Sequence, residues 1–165
     1  MDYPACVNLL RSEVMHIGTV CHKPPVTVRR FEELVRAAQL MREKHVGYLV
    51  VVEPDVADGS LRPIGVLTDR DIVVSVIARE ADPRSLRVGD VMTQPAVTAS
   101  ASDPVEKALQ EMRRAGVRRL PVVGPRGELV GILSLDEVLG LLAGQLKDVA
   151  GSIHNEQLIE GSLRQ

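Results

Sequence analysis

The stretch Gly65-Val66-Leu67-Thr68-Asp69-Arg70-Asp71 decides the fold, because an apolar run meets a hydroxyl residue and then a group of charges. The pattern predicts a strand that leaves a core, a tight turn, and a helix with Thr68 as its N-cap. Later in the chain, Gly131-Ile132-Leu133-Ser134-Leu135-Asp136-Glu137 repeats it, with hydroxyl on hydroxyl and acid on acid. The chain therefore contains an internal repeat.

A second alignment extends this repeat towards the N-terminus. The segment from Val26 to Val52 matches the segment from Val97 to Val123, so the first copy carries five extra residues in a loop from Glu53 to Ser60. Each copy is predicted to run strand, helix, strand, strand, helix. Because so short a segment holds a core poorly alone, the two copies should pack on each other.

The first copy gives a detailed set of predicted elements. Apolar residues at helical spacing predict a helix with a buried face that includes Phe31, Leu34 and Met41. The helix after Thr68 is expected to turn four apolar residues inward, namely Ile72, Val73, Val76 and Ile77. The predicted elements are a helix over Ala5–Met15, an extended segment over Gly18–Pro25, a helix over Phe31–Lys44, a strand over Tyr48–Val52 buried on both faces, and a strand over Pro63–Leu67.

In the second copy, Val91-Met92 matches Val14-Met15 and opens the repeat. Asp103 is expected to cap the next helix, which Pro104 begins. The further predicted elements are strands over Val97–Thr98, Val117–Val123 and Leu129–Leu133, a turn over Gly124–Gly127, a helix from Leu135 to about Val149, and a polar tail over Gly151–Gln165.

Composition excludes several classes of function. Hydrophobic residues make up 45% of the 165 residues but aromatic residues only 2%, so the sequence offers few faces on which bases could stack. A net charge of −2 gives no basic footprint for nucleic acid. Neither a membrane span nor a signal peptide is predicted, and we expect a cytoplasmic protein with free Cys6 and Cys21 thiols. The spacing of His16, Cys21 and His22 matches no zinc pattern, so no metal site is expected.

The repeat and its motifs resemble a pair of cystathionine-β-synthase (CBS) domains. The resemblance rests on the tandem order of elements, on Leu120-Pro121-Val122-Val123, and on the two turns from strand to helix, and it covers about Val14 to Leu146. It implies an α/β fold of two CBS domains, each β-α-β-β-α, packed through their sheets as a pseudo-twofold pair. The implied divisions are an N-terminal extension over 1–13, domains over 14–82 and 83–146, and a tail over 147–165.

The resemblance also implies that clefts between the domains hold an adenosine-containing ligand. A carboxylate accepts hydrogen bonds from ribose hydroxyls, and a helix start with a hydroxyl favours phosphate, so we assign ribose to Asp71 and phosphate to Thr68. Asp69 lies in the same turn, and Arg70 adds a charge that the second copy lacks. AMP, ADP or ATP is favoured, while S-adenosylmethionine and NAD stay open.

A plain helix cap is the alternative for both turns, because Ser/Thr-x-x-acid is also a capping box. We favour the ligand role for Asp71 and the cap for Ser134 with Glu137, where Asp136 replaces Arg70. Asp71 should therefore contribute more to affinity than Glu137. By the resemblance, adenine candidates are Thr27, Val28, Gly47 and Tyr48 in the first copy and Thr98, Ala99, Arg118 and Leu120 in the second, and Arg118 or Arg119 could contact phosphate.

Three functions compete at this point. A regulatory nucleotide sensor fits the resemblance, whereas an enzyme would need a nucleophile with its base, a metal cluster or a phosphate loop, and the four histidines form no such group. A scaffold without ligand is the third. The apolar residues Val73, Val74, Ile77, Leu139, Leu141 and Leu142 predict a homodimer, and a protein target would be met in trans.

Overall fold

The computed structural model describes residues 15–21 and 24–163, without the side chains of 157, 158 and 160–163. The predicted helix over Ala5–Met15 therefore lies almost wholly outside the described residues. The helices are α1 (Ile17–Val20), α2 (Leu34–Lys44), α3 (Asp69–Ser75), α4 (Val88–Val91), α5 (Val105–Ala115) and α6 (Leu135–Leu163). The strands are β1 (Thr27–Arg29), β2 (Tyr48–Pro54), β3 (Leu61–Thr68), β4 (Ala99–Ser100), β5 (Arg119–Val123) and β6 (Leu129–Ser134).

The strands form two three-stranded sheets of the same design, ordered β1-β2-β3 and β4-β5-β6. In each sheet the first pair is parallel and the second pair is antiparallel. The register also repeats, because Val28 pairs with Val51 just as Ala99 pairs with Val122, and the sequence alignment matches these residues one to one. The predicted α/β repeat is confirmed.

Strand β2 is buried on both faces, as its continuous aliphatic run predicts. One face, with Leu49 and Val51, joins the core beneath α2. The other face, with Tyr48 and Val50, packs with Ile132 of the second sheet. The two halves therefore contact each other through their sheets.

The short helices α1 and α4 are exchanged between the halves. The Ile17 N–H donates to the Asp103 carbonyl (2.9 Å), and the Val88 N–H donates to the Glu32 carbonyl (3.0 Å). Ile17 is fully buried in the core of the second half, and Val88 is fully buried in the core of the first. Helix α1 also interrupts the segment predicted to be extended from Gly18.

This exchange corrects the predicted match of Met15 with Met92. The hydrogen bonds follow the alignment that places Val26 on Val97, and in that alignment Ile17 corresponds to Val88 and Cys21 to Met92. Both Cys21 and Met92 lie in cores. The Val-Met dipeptides are thus a coincidence of composition. The predicted domain boundaries remain a prediction.

Helix α2 begins at Leu34, three residues later than predicted. The Arg29 N–H donates to a Glu32 side-chain oxygen (2.8 Å), which closes a turn ahead of the helix. Phe31 is consequently 76% exposed and lies beside the guanidinium of Arg30. The buried face consists of Leu34, Ala37 and Met41.

Three further boundaries differ from prediction. Strand β4 covers Ala99–Ser100 rather than Val97–Thr98. Asp103 does not cap α5, because its carboxylate pairs with Lys107 (2.9 Å) and Pro104 occupies the N-cap position. Helix α3 ends at Ser75, and Val73 and Ile77 are exposed rather than inward, whereas Val76 is buried as predicted.

Helix α6 is about twice as long as predicted. It continues from Leu135 to Leu163, through most of the segment predicted to be a polar tail. No proline interrupts the chain after Leu135, and glycine alone lowers helix stability without ending the helix.

Candidate functional site

The two turns from strand to helix have the same hydrogen bonds. The Asp71 N–H donates to Thr68 Oγ1 (3.1 Å), while Asp71 Oδ2 accepts from the Thr68 N–H (2.8 Å) and hydroxyl (2.7 Å). Ser134 and Glu137 form the same three bonds at 3.2, 2.7 and 2.9 Å. The predicted cap at Ser134 is confirmed, and Asp71 also acts as a cap. The cap uses only Oδ2 of the Asp71 carboxylate. The other oxygen, Oδ1, makes no hydrogen bond within the described residues.

Each turn is held against the start of the central strand. The Asp69 N–H donates to the Gly47 carbonyl (3.2 Å), and the Leu135 N–H donates to the Arg118 carbonyl (2.9 Å). A Cβ atom at residue 47 would lie 2.5 Å from Asp69 Oδ2, so the glycine leaves room for the Asp69 carboxylate in its present position. In the second copy, Leu135 takes the place of Asp69 and Arg118 takes the place of Gly47. The two sites therefore differ.

The first cavity lies between the halves and has a volume of about 540 Å³. This volume falls within the range of roughly 300–1,000 Å³ typical of small-molecule sites. It brings together the Thr68 turn with the start of β5. Its lining residues are Gly47, Tyr48, Val66, Thr68, Asp69, Arg70, Asp71, Thr93, Pro95, Val97, Gly116, Val117, Arg118 and Arg119.

Positive charge exceeds negative charge around the first cavity, with three arginines against two aspartates. Among residues 15–21 and 24–163, Arg70, Arg118 and Arg119 form no ion pair with a carboxylate. The Arg119 guanidinium lies 6.0 Å from the centre of the Tyr48 ring. Burial raises the pKa of the Tyr48 phenol, which Arg119 opposes only in part. The phenol is therefore neutral at physiological pH.

The second cavity is smaller, at about 240 Å³. Ser134 and Glu137 line it together with His45, Val46 and Ile132, and it shares Gly47, Tyr48 and Arg119 with the first cavity. Its volume lies below the usual range for small-molecule sites. Arg119 is its single arginine among the described residues.

Five predicted adenine candidates line neither cavity. Val28 and Leu120 are core residues, at 2% and 0% exposure, and Ala99 is also buried in the core. Thr27 lies on β1, where it pairs with Val50, and Thr98 directly precedes β4. The side chains of Val28, Ala99 and Leu120 pack in the cores beneath the helices, which removes them from the clefts.

The segment from Thr93 to Val97 was missed as part of the site. Thr93 exchanges two backbone hydrogen bonds of 2.9 Å with Val66, so this segment extends the first sheet beyond β3. A Cβ atom at Gly65 would lie 2.8 Å from the Thr93 carbonyl oxygen, which explains the glycine. The sequence does contain a sign that this segment belongs to the repeat, because Pro95 corresponds to Pro24, which precedes β1 in the first copy.

Neither a metal cluster nor a membrane-spanning helix is found in the described part of the chain. No group of three or more His, Cys, Asp or Glu side chains there is arranged to hold a metal ion. No helix there is both long and apolar enough to cross a membrane.

Comparison with known proteins gives matches to both halves. A family model for the CBS domain matches residues 17–77 and 88–144. An uncharacterised protein of Methanopyrus kandleri is 34% identical over 124 residues, which make up 74% of this chain and 60% of that protein. This chain therefore matches less than two thirds of that relative's length.

Solved structures give the same fold. The hexameric CBS-CP12 protein from bloom-forming cyanobacteria is 30% identical with a TM-score of 0.66, over 76% of this chain and 67% of that one. A CBS domain protein from Pyrobaculum aerophilum complexed with AMP is 27% identical with a TM-score of 0.65, over 74% of this chain and 89% of that one.

Proposed function

The chain belongs to the CBS-domain family, and from this premise we propose that it is a regulatory module that binds an adenosine nucleotide in the first cavity. The observation that carries the proposal is the chemistry of this cavity, where three arginines without carboxylate partners among the described residues meet the Thr68 turn. The complex of the Pyrobaculum aerophilum protein with AMP supports an adenosine ligand for this fold.

Each part of a nucleotide has a matching group in the first cavity. Asp71 Oδ1 has no partner within the described residues and is an acceptor for ribose hydroxyls. Val66, Val97 and Val117 provide an apolar surface for the base. The guanidinium groups suit phosphate, which makes AMP, ADP or ATP a better match than the cationic S-adenosylmethionine, with NAD between them.

The first cavity is proposed to dominate binding. The second cavity has less than half its volume, and the turn beside it carries Asp136 where the first turn carries Arg70. A phosphate there would meet more negative charge and fewer guanidinium groups. We therefore assign one high-affinity ligand to each chain.

Calorimetry on a matched pair of variants tests this assignment. Asp71→Asn and Glu137→Gln each remove one negative charge and keep an oxygen that can cap the helix. Asp71→Asn should lose affinity for ATP by about tenfold or more, because charge-assisted hydrogen bonds to the ribose are lost. Glu137→Gln should bind as the parent does. Unchanged binding by Asp71→Asn with lost binding by Glu137→Gln would reverse the assignment.

A second pair tests the phosphate contact. Arg118→Gln alters the cavity wall, while Arg113→Gln changes an exposed arginine on α5 that does not line either cavity. We expect Arg118→Gln to weaken ATP more than adenosine, and Arg113→Gln to change neither. If a panel of AMP, ADP, ATP, S-adenosylmethionine and NAD raised the Tm of the parent in no case, the scaffold function would replace the sensor.

The proposal also includes a second copy of the chain and a protein target met in trans, in the cytoplasm. Val73, Val74 and Ile77 are 51–61% exposed, and Leu139 of α6 is 55% exposed at the position corresponding to Val73. Because such aliphatic side chains favour burial, we propose that these faces meet across a twofold axis. The hexameric relative supports assembly in this family.

A further inference from the structure

Helix α6 projects away from the rest of the described structure. Every described side chain from Leu142 onward is exposed, over most of a 29-residue helix. Among these residues, Gly144 and Gly151 each lower helix stability by about 1 kcal/mol relative to alanine. Because most helical stability comes from tertiary packing, this part of α6 requires contacts that the described residues do not supply.

The projecting helix carries an apolar stripe with heptad spacing. The α6 stripe consists of Leu139, Leu142, Leu146, Val149 and Ile153, which are 45–70% exposed. Their separations of 3, 4, 3 and 4 residues confine them to an arc of roughly 80° at about 100° per residue. This is the spacing of the a and d positions of a coiled coil, over a length of ~21 Å.

The residues that flank the α6 stripe indicate an identical partner. Ala143, Gln145, Ala150 and Ser152 occupy the e and g positions, where charges usually select or repel a partner helix. All four are uncharged, so two copies meet without repulsion and no charge selects a different helix. Lys147 and Asp148, the charged residues between Leu139 and Ile153, lie on the opposite side.

We propose that the α6 stripe pairs with the α6 stripe of a second copy of this chain, forming a short two-helix coiled coil beyond the CBS domains. This inference rests on the second-copy part of the proposed function and not on the nucleotide. It gives the homodimer a contact beyond the exposed faces of α3 and the start of α6.

Sedimentation velocity on the full chain tests the pairing. Leu146→Glu/Val149→Glu places two charges in the α6 stripe, and Gly144→Glu/Gly151→Glu places the same two charges on the opposite face. A Cβ atom at either glycine meets nothing within 4 Å, so the control substitutions fit. The parent and the glycine variant should sediment as dimers, and the stripe variant should shift towards the 18.0 kDa monomer.

A third variant, Val73→Glu/Ile77→Glu, changes the exposed face of α3 and is called the body variant. It distinguishes a dimer held by that face from a dimer held by the α6 stripe. A stripe variant that stays as dimeric as the parent overturns the inference, and if the body variant alone becomes monomeric, the proposed homodimer stands without α6. A monomeric parent overturns the inference and the second-copy proposal together, and leaves nucleotide binding to be judged by calorimetry.

Discussion

Tyr48 and Arg119 form a wall shared by the two cavities. Both residues line each cavity, and the guanidinium lies 6.0 Å from the ring centre. Tyr48 is 9% exposed and lies on the face of β2 that packs against the second sheet. A side chain in contact with both clefts links them physically, and its protonation state bears on both.

Replacing Tyr48 by phenylalanine should reduce the loss of stability at alkaline pH. Folding raises the phenol pKa through burial, so the folded chain keeps a proton that the unfolded chain loses above its usual pKa of about 10. The unfolded state then binds fewer protons, and the unfolding free energy falls as pH rises. Urea titrations between about pH 9 and 11 should show a shallower fall for Tyr48→Phe. Equal slopes for the two proteins would contradict the pKa shift.

At the scale of elements, the loop over Glu53–Ser60 is bonded both to itself and to the other half. The Asp55 N–H donates to the Ser60 carbonyl (2.7 Å), and Asp55 also pairs with Arg62. Asp58 pairs with Arg126 at 3.4 Å and accepts a hydrogen bond from the Ser60 N–H (2.9 Å), and its contact with Ser60 lowers the pKa of its carboxyl. The five residues inserted in the first copy thus reach the turn after β5.

Amide hydrogen exchange should still distinguish this loop from the strand before it. Val56 is fully exposed, whereas Leu49 to Val52 are buried, and Val50 to Val52 are paired on both edges of β2. We expect the amides of Val56 and Asp58 to exchange fastest and those of Leu49–Val52 slowest, because exchange follows local opening. Protection of the loop equal to that of the strand would contradict this expectation.

Local chemistry explains which elements could be predicted from the sequence. The turns at Thr68 and Ser134 depend on contacts three residues apart, and β2 depends on its own apolar run, so a short window predicts both. The Thr93 segment joins β3 through pairing with Val66, and the position of Phe31 depends on the turn closed by Glu32. Such long-range or competing contacts leave no periodic signal. The contribution of the segment from Thr93 to Val97 to the first cavity is therefore visible only in the structure.

At the scale of the whole molecule, a substitution in the first half should weaken the second. Ile17 is fully buried among second-half residues that include Leu120 and Leu133. Ile17→Ala should lower the unfolding free energy by about 2–5 kcal/mol, through lost burial and the cavity it leaves. Exchange measured by mass spectrometry should increase more in β5 and β6 than in β2.

The reciprocal variant provides the control for this effect. Val88 is fully buried in the first core, so Val88→Ala should increase exchange in β2 more than in β5. If each substitution increased hydrogen exchange only in the half that contains it in sequence, the placement of α1 in the second core and α4 in the first would be wrong.

The exchanged helices also limit how the cleft can respond to a ligand. Because Ile17 packs in the second core and Val88 in the first, the chain passes between the two halves twice, and any opening of the cleft is restrained by two connections rather than one. The first core lies wholly within residues 28–92, whereas the second also needs Ile17 and Cys21, so a gene fragment that begins after α4 encodes an incomplete core.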